Sequence, residues 1–334
     1  MTKPEDAFGK DNIDRIHTLH QTKLVPPLME LDVERAETVK HHTMLRRVSA
    51  LIGIPALAYS IYGIAYIETR NIDALLLTVC IFLSMTALMV VAFFTIWPAA
   101  LTQDVQRKLT NPVINALGYN YSSKFNGFSN LRGANTARQL GLFKKHDYAS
   151  SDEFISGERS GFFFEMLELE LVKIQKSHQR ADGHTRIFWG QCFFIQFDKP
   201  FHGTTVATRR SDFMSWRRRP EGLSKVRIES RDMRRKFRLS SSDQVEARYL
   251  ITPDILERLD ALERRLKGKK LRFGFHSNHF VIVLEKANLF DPNPYKNAYA
   301  SKEALNKVLD DMAAIATLFD TLAASHKRDR IENA

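Results

Sequence analysis

Two uncharged stretches, Val48–Ile67 and Ala74–Ala100, separated by Glu68-Thr69-Arg70-Asn71-Ile72-Asp73, constrain this chain more than any other feature. At about 1.5 Å per helical residue, each is long enough to cross a hydrocarbon core of about 30 Å. Neither contains Asp, Glu, Lys, Arg or His. They read as a two-helix transmembrane hairpin. Loops rich in Lys and Arg stay in the cytoplasm. Arg35, Lys40, Arg46 and Arg47 precede the first stretch, and Arg107 and Lys108 follow the second. This predicts a two-pass protein of the inner (plasma) membrane with both termini cytoplasmic. Tyr66 and Trp97 fall at the span ends, where amphipathic aromatics favour the headgroup boundary. The first apolar run starts too late and is too long for a signal-peptide h-region of about 7–15 residues.

The hairpin divides the chain into an N-terminal helical arm (1–47), the hairpin itself (48–100, spans 48–67 and 74–100) and a cytoplasmic domain (101–334). Without an ionisable residue in either span, a transport path through one subunit is disfavoured. Ser49/Gly53 and Ala56/Ser60 are small-xxx-small pairs that permit close helix approach, within the hairpin or between subunits. The first 47 residues balance eight Lys/Arg against eight Asp/Glu and the loop carries one against two, so within a formal net charge of +11 the part beyond the hairpin holds +12. Two cysteines, Cys80 in a span and Cys192 in the domain, offer no intramolecular disulfide, in keeping with a reducing compartment.

Local signals outline an α+β domain, a mainly antiparallel sheet flanked by helices. The arm predicts a helix near Asn12–Thr22, a break at Pro26-Pro27 and a helix from Leu28 into the first span. Thr102–Leu117 reads as a helix, and Tyr119–Gly161, rich in Gly, Asn and Ser, as irregular. Glu165–Lys173 and Thr185–Phe197 flank a turn at Ala181-Asp182-Gly183-His184 and predict a hairpin. Thr252-Pro253-Asp254 supplies an N-cap, a first-turn proline and an acidic first turn; Ile255, Leu259, Leu262 and Leu266 then mark one buried helical face. Leu271–His276 and His279–Glu285 around Ser277-Asn278 predict a second hairpin. After Pro292 and Pro294, Ser301 caps a last helix with apolar Leu305, Leu309, Met312, Ala316 and Phe319, a stripe for packing on the sheet or for a short coiled coil.

Two blocks carry a resemblance: Gly190 to Thr205, containing Asp198-Lys199-Pro200-Phe201-His202-Gly203, and Ser242 to Pro253, containing Asp243, Glu246 and Arg248, with Phe237 between them. In this order after a hairpin they resemble the bacterial membrane family called domain of unknown function 3137. That resemblance implies the membrane hairpin and the α+β domain, and brings no activity, catalytic residue or cofactor with it. The run Arg231-Asp-Met-Arg234-Arg235-Lys236 is more basic than the pattern leads one to expect. Physically, the Asp198–Gly203 block is a proline- and glycine-broken turn before a strand at Thr204–Thr208. Asp243, Glu246 and Arg248 form a charged cluster beside Thr252, or hold a helix start in place.

One surface feature is distinctive. Arg209-Arg210-Ser-Asp-Phe213-Met214-Ser-Trp216-Arg217-Arg218-Arg219-Pro220 sets five arginines among large apolar side chains, with Arg231, Arg234, Arg235, Lys236 and Arg238 following. Anionic lipid headgroups, an acidic protein or simple solvation suit it, with nucleic acid the least favoured partner. No cofactor or metal is expected: H-E-x-x-H, G-x-G-x-x-G and nucleophile-elbow patterns are missing, and His276 and His279 lack further ligands. The sequence thus leans away from an enzyme and toward a membrane-anchored interaction module whose partner is a protein, a second copy or the anionic leaflet. A membrane-tethered enzyme using the two blocks, and an oligomeric pore, are the alternatives.

Overall fold

The computed structural model describes residues 3–66, 74–96, 104–124, 131–175, 183–212, 217, 219–287, 289–290 and 297–332. In chain order its elements are α1 (Pro4–Phe8), α2 (Lys10–Leu19), α3 (Val25–Tyr66), α4 (Ala74–Ile96), α5 (Asn111–Ala116), β1 (Asn120–Lys124), α6 (Ala134–Gln139), β2 (Tyr148–Arg159), β3 (Phe162–Gln175), β4 (Gly183–Gln196), β5 (Thr205–Arg209), β6 (Ser224–Val226), α7 (Arg231–Lys236), β7 (Phe237–Ser241), α8 (Gln244–Leu250), α9 (Pro253–Arg265), β8 (Lys269–His276), β9 (His279–Glu285) and α10 (Lys302–Glu332), with π-helical turns at His20–Leu24 and Gln106–Thr110. The chain is α+β: a long N-terminal helix, then a nine-stranded antiparallel sheet with helices. Its described residues form two compact units. One is drawn from Met1–Leu19, Thr110–Asp291 and Leu305–Ala334, the other from His20–Leu109 and Pro292–Ala304.

In the first unit the strands run in the order β1-β2-β3-β4-β9-β8-β5-β7-β6. Side-chain alternation gives the sheet two apolar faces, because both are covered. Leu167, Leu169, Leu171, Cys192, Phe194, Val206, Val281 and Val283 pack with Ala134, Ala137 and Leu140 of α6. On the other face Phe164 meets Phe319 of α10 at 4.9 Å, and Phe273 lies between the rings of Phe237 and Phe280. The predicted hairpins are present, β3 on β4 and β8 on β9. Thr252 caps α9 through Ile255 N, Ser301 Oγ accepts from Ala304 N, and the five expected stripe residues of α10 are buried.

The expectation of an irregular Tyr119–Gly161 is corrected: it holds β1, α6 and the twelve-residue β2. Glu153 has φ +51°, and the β2–β3 register shifts between Asp152 and Ile155, so a bulge interrupts the alternation that would have marked the strand. The expected break at Pro26-Pro27 is also corrected. The chain is helical from Lys10 through Tyr62, and a π-turn precedes the two prolines, which lack N–H donors for the helical ladder.

The N-terminal arm belongs partly to the sheet unit. Ile13 and Ile16 of α2 are buried. Arg159, at the end of β2, donates to Asp320 of α10 at 2.9 and 2.7 Å and to the carbonyl of Ala7 at 2.7 Å. Its guanidinium also sits 5.2 Å from the Phe8 ring, which meets Tyr119 edge-on at 6.5 Å.

A second network fixes β5 to α9. Arg209 is buried over the Phe237 ring at 4.1 Å and donates to Asp260 and Glu263. Asp260 also accepts from Lys236 and Arg264, each at 2.7 Å, and Glu263 from Leu271 N at 2.9 Å. Burial would raise the Asp260 pKa, but the hydrogen bonds from Lys236 and Arg209 outweigh it and hold the carboxyl below its ordinary value of 3.8.

In the second unit α3 and α4 pack on each other. At Gly53 a Cβ would lie 2.7 Å from Ala87 Cβ, and Ala56 and Ser60 are buried, so within one chain the small residues serve helix contact. The run containing α3 is long and apolar enough, by length and composition, to cross a membrane. Toward its N-terminal end, Asp32 accepts from Tyr299 N at 2.7 Å and Ala300 N at 2.9 Å and pairs with Arg35. Trp97, the 68–73 connection, Ala181-Asp182, Pro292 and Pro294 lie outside the described residues.

Two substitutions test this architecture in the detergent-purified protein. A Cβ at Gly190 would lie 2.1 Å from the Leu284 carbonyl oxygen and 2.9 Å from Lys286 N across the β4–β9 pair. Gly190→Ala should therefore destabilise the sheet by about 3 kcal/mol or more in denaturant titration. Arg209→Ala leaves Asp260 and Glu263 facing one another without their shared cation and should cost about 3–5 kcal/mol. The Asp260 contribution is present above pH 3.8 and lost as pH falls through the depressed folded value. In Arg209→Ala, acid unfolding should begin at higher pH than in the parent.

Candidate anion-binding cleft

Strand alternation separates the basic residues of the β5–β7–β6 edge. Arg209 pairs in register with Phe237, and its side chain turns to α9. Thr208 pairs with Arg238 and Lys225 with Ser240, which puts Arg238 and Lys225 on the opposite face. Arg210, just past β5, donates its main-chain N–H to Lys236 O at 2.9 Å and its Nε–H to Arg234 O at 2.7 Å. Arg234 donates to Ile228 O at 3.4 Å from α7, a helix capped by Ser230 and seated by buried Met233.

These groups enclose a cleft of about 580 Å³. Arg210, Lys225, Arg227, Arg234 and Arg238 line it, together with residues Val226, Ile228, Phe237 and Leu239. No carboxylate is among these lining residues. Arg210, Lys225 and Arg227 are exposed, and Arg234 and Arg238 half-buried.

Of the basic residues singled out from sequence, Arg210, Arg234 and Arg238 therefore reach the cleft. Arg209 and Lys236 are instead spent on Asp260. Arg235 and Arg217 are exposed and Arg219 is half-buried, none of them lining the cleft; Phe213, Trp216 and Arg218 lie outside the described residues. Lys225 and Arg227 were not singled out, although Lys225-Val226-Arg227-Ile228 alternates basic and apolar residues with the period of a strand edge.

The two blocks that carry the resemblance converge, and they do so structurally. Asp243 caps α8 by accepting from Val245 N and Glu246 N. Glu246, buried, accepts from His202 N through one oxygen and Gly203 N through the other, each at 2.7 Å. Ser242 Oγ takes Thr204 N at 2.8 Å, and a Cβ on Gly203 would lie 2.8 Å from Asp243 Cβ, which explains the glycine. Phe201 seats the turn against Phe197 and Phe275, with ring centroids 5.0 and 5.1 Å away. Asp198, Lys199 and Arg248 are exposed around this clasp. Both oxygens of its buried carboxylate hold backbone N–H groups, a poor arrangement for proton transfer to a substrate.

His276 and His279 face each other across their hairpin, and His276 Nδ1 meets Thr204 Oγ1 at 2.7 Å. Burial, with Arg132 nearby, lowers the His279 pKa. Among the described residues no group of three or more His, Cys, Asp or Glu is placed to hold a metal. Cys192 is fully buried, and burial raises its pKa and keeps the thiol neutral.

No curated protein matches the chain. One solved structure, the crystal structure of the mycobacterial trehalose monomycolate transport factor A, TtfA, is similar over 61% of this chain and 90% of its own, at 7% identity and a TM-score of 0.30. That similarity is too slight to carry fold or function across. Residues 186–324 match the family model described as "Protein of unknown function (DUF3137)", a segment that runs from β4 through most of α10 and contains both blocks of the clasp.

Proposed function

We propose that this protein is a two-pass membrane-anchored interaction module, with its termini and sheet unit in the cytoplasm, that holds an anionic partner at the basic cleft. One observation carries the topology. Residues before α3 and residues after α4 belong to the same compact unit, tied by Arg159 to Ala7 and Asp320. Two pieces of one folded unit lie on the same side of a bilayer, so the chain between them crosses an even number of times. If α3 crosses, α4 supplies the return. The outward side chains of the pair support this: Leu51, Ile54 and Ile61 on α3 and Phe82, Met85, Leu88 and Met89 on α4 are 62–78% exposed, as lipid-facing residues would be. A single-chain or oligomeric pore would need polar side chains on such a surface. The flanking Arg35, Lys40, Arg46, Arg47, Arg107 and Lys108 favour the cytoplasmic side for both ends.

The binding role rests on the contrast between the saturated Glu246 clasp and a cleft with no carboxylate among its described lining residues. Topology reporters decide the anchor. A fusion after Ala334 should be active only in the cytoplasm and an insertion at Arg70 only outside, with the protein resisting alkaline carbonate extraction. Activity of the Ala334 fusion outside the cell, or release by carbonate, would refute this reading.

A further inference from the structure

We propose that the cleft between β6, β7 and α7 is a binding site for a dianionic phosphate group, a phosphate monoester carried by a small molecule or a lipid headgroup. Elsewhere in the sheet unit, buried or half-buried cations are neutralised by carboxylates: Arg159 by Asp320, Arg209 by Asp260 and Glu263, Arg265 by Asp310 and Asp311, and Arg272 by Asp212 and Glu285. The chain has acids to spend and spends them there. In the cleft, Arg210, Lys225, Arg227 and Arg234, with Arg238 beside them, line about 580 Å³, and no acid is among the described lining residues.

Like charges that line one cleft repel one another. A dianion offsets more of that charge than a monoanion does. The preponderance of arginine points to phosphate, because guanidinium N–H groups form forked, charge-assisted pairs with its oxygens. Orientation is already set. Arg210 is held through Nε to Arg234 O, and Arg234 to Ile228 O, so their other N–H groups are fixed before a ligand arrives.

This inference deepens the binding role proposed above, and only its lipid-borne form rests on the membrane anchor. The test uses the full chain in neutral detergent with glycerol 3-phosphate, and the full chain in nanodiscs containing phosphatidic acid or phosphatidylglycerol. Lys225→Gln/Arg227→Gln alters two exposed cations that make no ion pair with described residues, so folding should persist, as near-parent thermal denaturation would verify. The expected result is saturable binding that the double variant weakens by about tenfold or more and that exposed Lys145→Gln leaves unchanged. Affinity should rise with pH through about 6, where a phosphate monoester loses its second proton. Binding of glycerol 3-phosphate identifies a free ligand; binding of phosphatidic acid alone identifies a lipid one, and each supports the site. No binding in either arm, equal binding by the double variant, or equal affinity for phosphatidylglycerol overturns it. Carbonate extraction of the parent would remove the anchor while leaving the glycerol 3-phosphate result intact.

Discussion

The hydrogen-bonded ion pair of Arg159 with Asp320, extended to the Ala7 carbonyl, constrains more of this protein than any other interaction. It joins the end of β2, the last helix and the first helix of the chain, three pieces far apart in sequence. Burial would raise the Asp320 pKa, but the hydrogen bonds from Arg159 and Ser160 prevail and hold it below the ordinary aspartate value. Because the Asp320 side chain is 41% exposed, solvent screening holds the pair to about 1 kcal/mol, and the burial of Ile13, Ile16, Phe164 and Phe319 adds apolar free energy. Its effect is topological as well as energetic. Once the arm is docked, the pieces that flank residues 20–109 belong to one compact unit.

The second compact unit shows a related economy. Asp32 receives two consecutive backbone N–H groups, of Tyr299 and Ala300, while Arg35 pairs with it and lies 5.8 Å from the Tyr299 ring. The polar N-terminal part of α3 is thereby bound to the segment that leads into α10. Further along, the same helix turns small residues to α4 and leaves large apolar ones exposed.

How much of this was legible follows from how local each signal is. The cap at Thr252, the turn at Ser277-Asn278 and the stripe of α10 lie within a few residues of the structure they specify, and each is where the sequence places it. β2 was hidden because the positive φ of Glu153 slips the alternation partway along the strand. Docking of the N-terminal arm was hidden because its partners, Arg159 and Asp320, are more than 150 residues away from Ala7. The two blocks were visible, but only the fold reveals that Glu246 serves the backbone of His202 and Gly203.

Arg209 and Arg210 show why a basic run cannot be read as one surface. They are adjacent, and the sequence treats them alike, yet the strand sends the first inward over Phe237 to two carboxylates and leaves the second at the cleft. The two outcomes depend on each other. A cleft lined by five cations tends to push itself apart, and its shape persists only if the surrounding frame is rigid. The Arg209–Asp260–Lys236 network supplies that frame, because Lys236 ends α7 and its carbonyl holds the Arg210 N–H. Neutralised charge on one face of the strand thus stabilises the concentrated charge on the other, which links the site's electrostatic strength to the sheet's stability.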